Sequence, residues 1–594
     1  MRGRKAPRTD VGTVVIHWAI VVCLVVVLGT GLRIASDEAP LRWLTNFDGV
    51  LPRENPWFWH IVGALLLTAC LGAYVAYVVS ARLTQRTRLD ATRLATLVRP
   101  GPARWASAGV VLLWMFFGAL TVELATGLLL FLGQSGWATV LHRHTVWLCL
   151  AFPLLHVAFH YAYAGIPQLL RVFRPAPLTP VPPQPDVLAL LARQIQMVDA
   201  LKKGHRPVSS RASEEETAST RSLMPPFAIA GATGLLIAGV GLVLNMWSMS
   251  TLQVPEVSEP PELDGDISDR AWGTAPPLTV STSQGANFGG TGESLVEIRA
   301  VHDEDNIYFA FTWNDPTRSY KYLPLTKDTA GWHLAKSAAN VAVEEHLMDD
   351  KFSVLLSAPT MPFLGAAIHL AAQSMDGYPE GASGRGLHYV GPGGMVDVWV
   401  WRADHGGTLG FLDDAHFGAP VPPTADQVAG TMRYMGGFQN DAGPSCFIDN
   451  QQGMMINGLL RSVPLRLPRN LEQMRIAMGE IDVSPDVSEA EGARWWMTLD
   501  ESIPYSAERD ASIEIGTTIP SVLVVCVPSG DIADVQAVGR WSAGRWTLET
   551  ARRLRTWSSS DLPVVSGVMM WVSAFDHAAT RHTRHIRAIA LHLL

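Results

Sequence analysis

The sequence predicts a bundle of four membrane-spanning α-helices, a fifth transmembrane helix, and then an all-β sandwich on the extracytoplasmic side. Three observations support this order. Long apolar runs are confined to the first 250 of 594 residues, Lys and Arg alternate in density between the loops, and short alternating apolar runs broken by Gly, Pro and Asp fill the remainder. The length suggests several domains, and the apolar runs place only the early ones in a membrane.

Five segments are long and apolar enough to cross a bilayer, because a span needs about 20 residues. They are Thr13–Ile34, Trp59–Ser80, Trp105–Leu132, Thr145–Gly165 and Pro226–Trp247. A cleavable signal peptide does not explain the first segment, since it lacks a small-residue cleavage site and further spans follow it. We therefore expect a multi-pass membrane protein.

The basic residues of the loops predict the orientation, because cytoplasmic loops are enriched in Lys and Arg. The N-terminus and the second loop are rich in them: Arg2, Arg4, Lys5 and Arg8, then Arg82, Arg86, Arg88, Arg93, Arg99 and Arg104. In the first loop, acidic residues outnumber the basic ones. We expect a cytoplasmic N-terminus in the inner (cytoplasmic) membrane, and everything after residue 250 in the periplasm.

Four regions follow from this pattern: a membrane bundle over 1–170, a cytoplasmic linker over 171–222, the fifth helix over 223–250, and the sandwich over 258–594. The linker is basic and rich in Pro and polar residues. Alternation and β-branched residues predict strands at Ser294–Val301, Ile307–Trp313, Phe352–Ser357, Met395–Trp401 and Ser521–Val527.

Charge and cysteine content exclude several classes of protein. The net charge of −8 gives no indication of nucleic-acid binding. No C-x-x-C-H motif occurs, which argues against covalently attached haem. Cys446 and Cys526 could form a disulfide if their domain is exported. No G-x-S-x-G, P-loop or H-E-x-x-H motif occurs either, so no catalytic residues are predicted.

Six histidines lie in or at the ends of the first, second and fourth spans: His17, His60, His142, His144, His156 and His160. Ionisable residues inside a bilayer are costly and usually functional. A lone histidine would have been an even choice between packing and function, but six shared among three spans favour function. Unprotonated imidazole is a good ligand for iron, and two such ligands suit electron transfer because no coordination site stays open.

Depth in the membrane predicts how these histidines pair. His60 and His142 lie near the outer face, and His17 lies near the inner face. His156 follows His142 by 14 residues, about 21 Å along the helix and about 40° around it. We expect His60 and His142 to ligate an outer haem and His17 and His156 an inner one, which together would carry electrons across the membrane.

Two further histidines remain alternatives for these positions. His144 could replace His142 only if the helix begins irregularly, and His160, one turn beyond His156, could be the inner ligand instead. Pro153 can kink the helix, so its geometry does not decide between His156 and His160.

The residues IHW at 16–18, GTG at 29–31, WH at 59–60 and LHRHTVW…LLH at 141–156 resemble the bacterial cytochrome b561 type, as in the cytochrome b subunits of formate dehydrogenase and nickel–iron hydrogenase. The resemblance covers about residues 10–170. It implies a four-helix haem bundle with two haem b groups and exchange of electrons with a quinone. The fifth span is an addition that tethers the outer domain.

The later motifs PPELDGDISDRAW at 260–272, VEIRAVHDEDNIYFAFTWNDPT at 296–317 and MVDVWVWRAD at 395–404 resemble the haem-binding domain of the ethylbenzene dehydrogenase gamma-subunit type. This resemblance covers about 258–594 and implies a β-sandwich with one haem b. It implies as ligands a Met before the V-D-V-W strand and a Lys near the C-terminus.

The sequence departs from both ligand positions. Before the strand, His388 is the first candidate and Met395 the second, and the C-terminal end offers His582 and His585 in place of Lys. Further alternatives are His369, His416 and Met435, and a sandwich without haem also remains open. Trp313, Trp399, Trp401 and Trp571 are predicted to be core residues.

Two acidic clusters are candidate metal sites. Glu344, Glu345 and His346 are consecutive and cannot all face one ion on a strand. Asp413 and Asp414 before His416 could bind a metal, but a solvated turn is the preferred interpretation.

These patterns predict an electron-transfer subunit of an oxidoreductase complex. Its partners would be quinone or quinol, and a periplasmic redox protein, a molybdenum oxidoreductase subunit or a c-type cytochrome. A quinone-linked reductase acting at an exposed haem, and a membrane-anchored binding or assembly module with a haem-free sandwich, are the alternatives.

Overall fold

The protein is described by a computed structural model. It describes residues 8–36, 39–133, 136–178, 224–335, 347–359, 368–370, 375–382, 389–391, 393–429, 434–456, 459–479, 481–484 and 487–594. Most of the predicted linker lies outside these ranges, as do His388 and the Glu344–His346 cluster.

Among the described residues, five helices are long and apolar enough to cross a membrane, which confirms the predicted spans. They are α1 (Val11–Ala35), α2 (Pro56–Ser80), α3 (Ala103–Phe131), α4 (Trp137–Ala164) and α5 (Met224–Trp247). The largest difference from prediction is the start of α4, which comes eight residues before Thr145. His142 and His144 are therefore both helical residues rather than loop residues, so α4 does not begin irregularly near them.

The chain divides into two compact units. The helical unit comprises Met1–Gly29, Trp59–Ala125 and Leu141–Met246, and the sheet-rich unit comprises Thr30–Phe58, Thr126–Val140 and Trp247–Leu594. The loops that follow α1 and α3 thus belong to the same unit as the C-terminal domain.

Asp10 organises the start of the helical unit. Its carboxylate accepts hydrogen bonds from the backbone N–H of Thr13 at 2.9 Å, from Tyr77 Oη at 2.7 Å and from Arg86 Nη1 at 2.7 Å. The first of these bonds satisfies one of the unpaired donors at the N-terminus of α1. The two-residue strands β1 (Thr9–Asp10) and β2 (Pro175–Ala176) pair in parallel beside it.

Two large sheets form the body of the sheet-rich unit. The first has seven strands in the spatial order β12 (Phe438–Asn440), β11 (Asp413–Phe417), β10 (Val396–Arg402), β9 (Lys351–Ser357), β23 (Met569–Phe575), β24 (Ile589–Leu593) and β3 (Ser250–Val254). The second has five strands in the order β21 (Gln536–Ser542), β22 (Arg545–Arg553), β6 (Asn306–Asn314), β5 (Ser294–His302) and β4 (Leu278–Thr282).

One apolar core joins these two sheets. It combines Phe309 and Phe311 of β6 with Val354 and Leu356 of β9, all at most 1% exposed. Alternate residues of a strand face one side of its sheet, so a shared core of this kind is what two stacked sheets produce. The predicted sheet-rich fold is confirmed, and the predicted strands correspond to β5, β6, β9, β10 and a shorter β20.

Short sheets and helices complete the unit. The short strands are β13 (Phe447–Asp449), β20 (Val522–Val524) and β17 (Trp496–Thr498); β14 (Gln451–Ile456) and β15 (Leu459–Pro464); β16 (Arg466–Pro468) and β18 (Ser502–Pro504); and β19 (Thr518–Ile519), β7 (Leu325–Asp328) and β8 (Gly331–Leu334). The short helices of this unit are Ala39–Phe47, Arg270–Thr274, Phe288–Gly290, Gly406–Leu409, Ala425–Val428, Leu471–Ala477, Ala507–Ala511 and Asp531–Ala533. The helical unit adds Thr84–Arg86, Ala91–Leu97, Ile166–Leu169 and Leu170–Phe173. Cys446 and Cys526 form a disulfide.

Glu549 on β22 fixes the segment that leads into the sandwich. Its Oε1 accepts a hydrogen bond from Trp272 Nε1 at 2.7 Å, and its Oε2 accepts from the backbone N–H groups of Asp264 and Gly265. Gly265 has φ +79°, and a Cβ there would lie 2.6 Å from the Cβ of Arg540. The L-D-G…W motif is thus held as one clamp.

The tryptophans of the motifs are buried, as predicted. Trp313, Trp399 and Trp401 are at most 1% exposed and belong to the core between the two sheets, and Trp571 is 6% exposed in a second apolar cluster.

Candidate functional site: paired histidines in the helical unit

His60 on α2 and His142 on α4 lie side by side in the helical unit, with their ring planes nearly perpendicular at 84°. Their ring centroids are 6.4 Å apart. Two imidazoles that ligate one iron from opposite sides have centroids about 6 Å apart, because each metal–nitrogen bond is about 2 Å and each centroid lies about 1 Å behind its nitrogen. The spacing of the His60–His142 pair therefore fits a haem iron between the rings.

The Nδ1 atom of each ring is engaged by a neighbouring helix. His60 Nδ1 lies 3.1 Å from the carbonyl oxygen of Val27 on α1, and His142 Nδ1 lies 2.9 Å from Glu123 Oε2 on α3. An acceptor behind Nδ1 fixes the ring orientation and directs Nε2 toward a metal. Two neighbouring helices, α1 and α3, thus orient the two rings.

Glu123 was not singled out from the sequence. It is 9% exposed in the middle of an apolar helix. The rule that an acidic residue inside a span is costly and functional would have found it.

A second group of histidines lies elsewhere in the helical unit. The rings of His156 and His160 on α4 are 4.5 Å apart, and both lie within electrostatic range of His17 on α1. His156 also packs against Phe152 at 5.1 Å. The structure therefore brings His17 near both of the predicted alternatives.

The surroundings of His160 and His144 make them weaker candidates. His160 Nδ1 lies 3.3 Å from the side-chain nitrogen of Gln168. This nitrogen can only donate, so the neutral His160 ring carries its proton on Nε2. His144 is an exposed residue of α4, whereas the side chain of His142 is 27% exposed and contacts Glu123.

His585 in the sheet-rich unit does not fit a haem ligand. Its Nε2 accepts a hydrogen bond from the backbone N–H of Val572 at 3.0 Å, and its Nδ1 lies 2.7 Å from the carbonyl oxygen of Arg587. Both ring nitrogens are thus used by the backbone, and burial lowers the pKa of His585 to about 4. The ring is a neutral link between the segment before β24 and strand β23.

The other predicted ligands of the sheet-rich unit are spread over several segments. His582 is partly buried, with its ring 5.0 Å from that of Phe575 and its Nδ1 2.8 Å from the carbonyl oxygen of Thr583. Met395 is partly buried directly before β10. Of the further alternatives, His369 is buried, His416 contacts Asp441 and Met435 is exposed. In the part of the unit that the structure describes, which leaves out His388, these placements alone define no haem site.

A multi-pass membrane bundle with paired histidines, joined to a sheet-rich domain, defines a class: the membrane cytochromes b that bind haem and transfer electrons. The family comparisons agree. Residues 8–174 match the family model of the prokaryotic cytochrome b561, and residues 269–587 match the family model of ethylbenzene dehydrogenase. The second match covers more than half of the chain, which therefore belongs to the ethylbenzene dehydrogenase family. A comparison with the curated proteins gives no match.

Proposed function

We propose that this protein passes electrons between the quinone pool and a periplasmic redox partner as a membrane-bound b-type cytochrome. The His60–His142 pair carries the proposal, because its spacing and the contacts of its Nδ1 atoms suit bis-histidine ligation. Haem bound there supplies one-electron redox chemistry. Two imidazole ligands would leave the iron no open position, which favours electron transfer over substrate chemistry.

The residues around the pair have separable roles. His60 and His142 would ligate through Nε2, since Nδ1 of each ring is engaged. The Val27 carbonyl holds one ring, and the Glu123 carboxylate holds the other and adds negative charge behind it. Such outer contacts raise the basicity of the imidazole and tune the potential of the site.

His17 and His156 are proposed as the ligands of a second haem. His156 is preferred to His160 because the Gln168 amide donates to Nδ1 of His160, which leaves the proton on Nε2 and makes Nε2 unavailable to a metal. Along α4, His142 and His156 are separated by 14 residues, about 21 Å. Two sites at two depths give electrons a route through the membrane.

Pairings within each unit support the proposed orientation. β1 and β2 pair the segment before α1 with the segment after α4. Four membrane crossings return the chain to its starting side, so these two segments are expected on the same side. Within the sheet-rich unit, the carbonyl of Arg53 accepts a hydrogen bond from the backbone N–H of His369 at 2.7 Å, which associates the loop after α1 with the domain after α5. The basic N-terminus and second loop then favour a periplasmic sheet-rich domain.

The sheet-rich domain is proposed as the contact with the redox partner. The partner is a periplasmic redox protein such as a c-type cytochrome or a molybdenum oxidoreductase subunit, so substrate chemistry would lie on another chain. The structure of His585 favours a second candidate for this domain, a docking or assembly module without haem, because one of the predicted ligands is consumed by backbone hydrogen bonds.

A haem count on the full chain tests the proposal. The chain is purified in mild detergent, and a pyridine haemochrome assay and a redox titration are recorded with a quinol analogue as reductant. We expect two haem b groups that the quinol reduces, and a third if the sheet-rich domain binds one. The His142→Ala variant should lose one haem.

His144→Ala is the matched control, because His144 lies two residues away on the same helix and is exposed. It should keep the wild-type count and potentials. A wild-type chain without haem, or a His142→Ala chain with the full count, would refute the proposal.

A further inference from the structure

Three buried carboxylates of the sheet-rich unit meet where separate parts of the chain come together. Asp414 lies on β11, Asp441 directly follows β12, and Asp561 lies in the loop between β22 and β23. One oxygen from each residue lies within 4.8 Å of the others. The residues are 0%, 4% and 6% exposed, so bulk water does not solvate their charges. The turn predicted around Asp413 and Asp414 was wrong.

Asp534 adds a fourth carboxylate to this acidic cluster. Its side chain contacts that of Asp414, and with Asp531 it forms a second close group around Asp561. Negative charge is thus crowded at this point.

Each of the three carboxylates has a buried oxygen without a hydrogen-bond donor in the part of the chain that the structure describes. These oxygens include Asp414 Oδ2, Asp441 Oδ2 and Asp561 Oδ1. An oxygen that is removed from water and receives no hydrogen bond costs stability, and an ionised one costs more. All three residues belong to the close group, which suggests a ligand that the protein itself does not supply.

The basic groups at the cluster do not balance its charge. Arg552 contacts Asp397 at 2.8 Å and Asp561 at 2.9 Å, and His416 Nδ1 lies 2.6 Å from Asp441 Oδ1. Among the described residues, the carboxylates of Asp397, Asp414, Asp441, Asp534 and Asp561 thus outnumber the Arg552 guanidinium and the His416 imidazole, so negative charge is in excess.

We propose that Asp414, Asp441 and Asp561 bind a structural Ca²⁺ ion. Carboxylate oxygens are hard ligands, and two oxygens on one Ca²⁺ lie at most about 5 Å apart because each bond is about 2.4 Å. Ca²⁺ accepts irregular arrangements of several carboxylates. Mg²⁺ keeps much of its water and usually binds only one or two, so the buried cluster suits Ca²⁺ better.

The ion holds together segments that are distant in sequence. The Cys446–Cys526 disulfide already joins the segment after Asp441 to the segment before Asp531. Between them, the backbone N–H of Ile532 donates to the carbonyl of Ala442 at 3.2 Å. Ca²⁺ links Asp441, which precedes this contact, to β11 through Asp414 and to the loop between β22 and β23 through Asp561.

Calcium binding by the full chain tests this assignment. The chain is purified in detergent and stripped with EGTA, and ⁴⁵Ca²⁺ uptake is measured by equilibrium dialysis. We expect about one Ca²⁺ per chain. We also expect Ca²⁺ to raise the urea midpoint of the sheet-rich unit in pulse proteolysis, with a smaller effect from Mg²⁺ at equal concentration.

Variants separate binding from a purely structural role. Asp414→Asn and Asp441→Asn should each weaken Ca²⁺ binding at least tenfold and abolish the Ca²⁺-dependent shift. Without Ca²⁺, Asp414→Asn should be no less stable than the wild-type chain, because the amide relieves repulsion. Asp500→Asn, at an exposed position of the same unit, should bind as the wild type does.

Two outcomes would overturn the assignment. The first is a wild-type chain that takes up no Ca²⁺ at millimolar concentration, and the second is unchanged affinity in both Asp→Asn variants. Haem content enters neither measurement, so the outcome is independent of the proposed electron transfer.

Discussion

Glu123 Oε2 on α3 lies 2.9 Å from Nδ1 of His142 on α4. The contact places a carboxylate behind an imidazole whose ring centroid lies 6.4 Å from that of His60. A carboxylate in this position orients the ring, fixes its tautomer and strengthens it as a metal ligand. Glu123 is therefore a positioning residue of the proposed site.

Replacing Glu123 by Gln should raise the midpoint potential of one haem. The neutral amide keeps the shape of the side chain but removes negative charge that favours the oxidised iron. We expect a shift of tens of millivolts with the haem count unchanged, measured by redox titration of the purified chain. Glu491→Gln, at an exposed site, is the control. If the redox titration of Glu123→Gln is identical to that of the wild-type chain, Glu123 does not tune the haem potential.

The second pair gives a comparison within one helix. His156→Ala should lose one haem, and His160→Ala should keep both, because the Gln168 amide engages the His160 ring. Pyridine haemochrome spectra of the two variants decide between them. If only His160→Ala loses haem, His160 is the ligand and the proposed assignment must be exchanged.

His585 should affect stability and its pH dependence without affecting haem spectra. Burial lowers its pKa to about 4 from 6.5. As the pH falls, His585 therefore binds a proton at a higher pH in the unfolded chain than in the folded chain. Its stabilising contribution is present above pH 6.5 and is lost as the pH falls toward about 4. In pulse proteolysis, His585→Ala should cost about 1–3 kcal/mol at pH 7, because the Val572 N–H loses its acceptor, and should flatten this dependence.

The matched variant is His592→Ala, at an exposed position on β24. It should leave both stability and pH dependence near wild type. Loss of a haem band in His585→Ala would contradict the structural role and restore His585 as a ligand.

The disulfide should stabilise the sheet-rich unit independently of the membrane helices. Cys446 and Cys526 are 80 residues apart, and removing a native disulfide of an exported domain costs about 2–5 kcal/mol. Cys446→Ser should lower the urea midpoint of this unit in pulse proteolysis and leave the haem count unchanged. Reductant should destabilise the wild-type chain and have no further effect on Cys446→Ser. Equal stability of both chains would argue against this contribution.

The membrane helices were predictable because length and hydropathy alone define a span. The start of α4 was less predictable, since its first turns carry His142, Arg143 and His144, which a hydropathy criterion rejects although they are helical. The proximity of His60 and His142 was predictable from their depth along the helices. The engagement of His160 by Gln168 could not be predicted, because Gln168 lies beyond the end of α4.

The sheet-rich unit was predictable in its strands and less so in its polar residues. Alternation identified β5, β6, β9 and β10. Asp414 looked like a turn residue because acidic side chains favour turns, yet it is fully buried on β11. His585 looked like a ligand because of its position near the C-terminus, and only the backbone contacts of both nitrogens revealed its role.

The clamp formed by Glu549, Trp272 and Gly265 gives the L-D-G…W motif of this domain a role in folding. Asp397 of the V-D-V-W strand is paired with Arg552, and Trp399 and Trp401 fill the core. The residues that identify the domain are those that fold it, and none of them is a proposed metal ligand. A chain can therefore keep these motif residues even if its haem ligands are replaced. A sequence search with the motif would then find proteins that bind haem and proteins that do not.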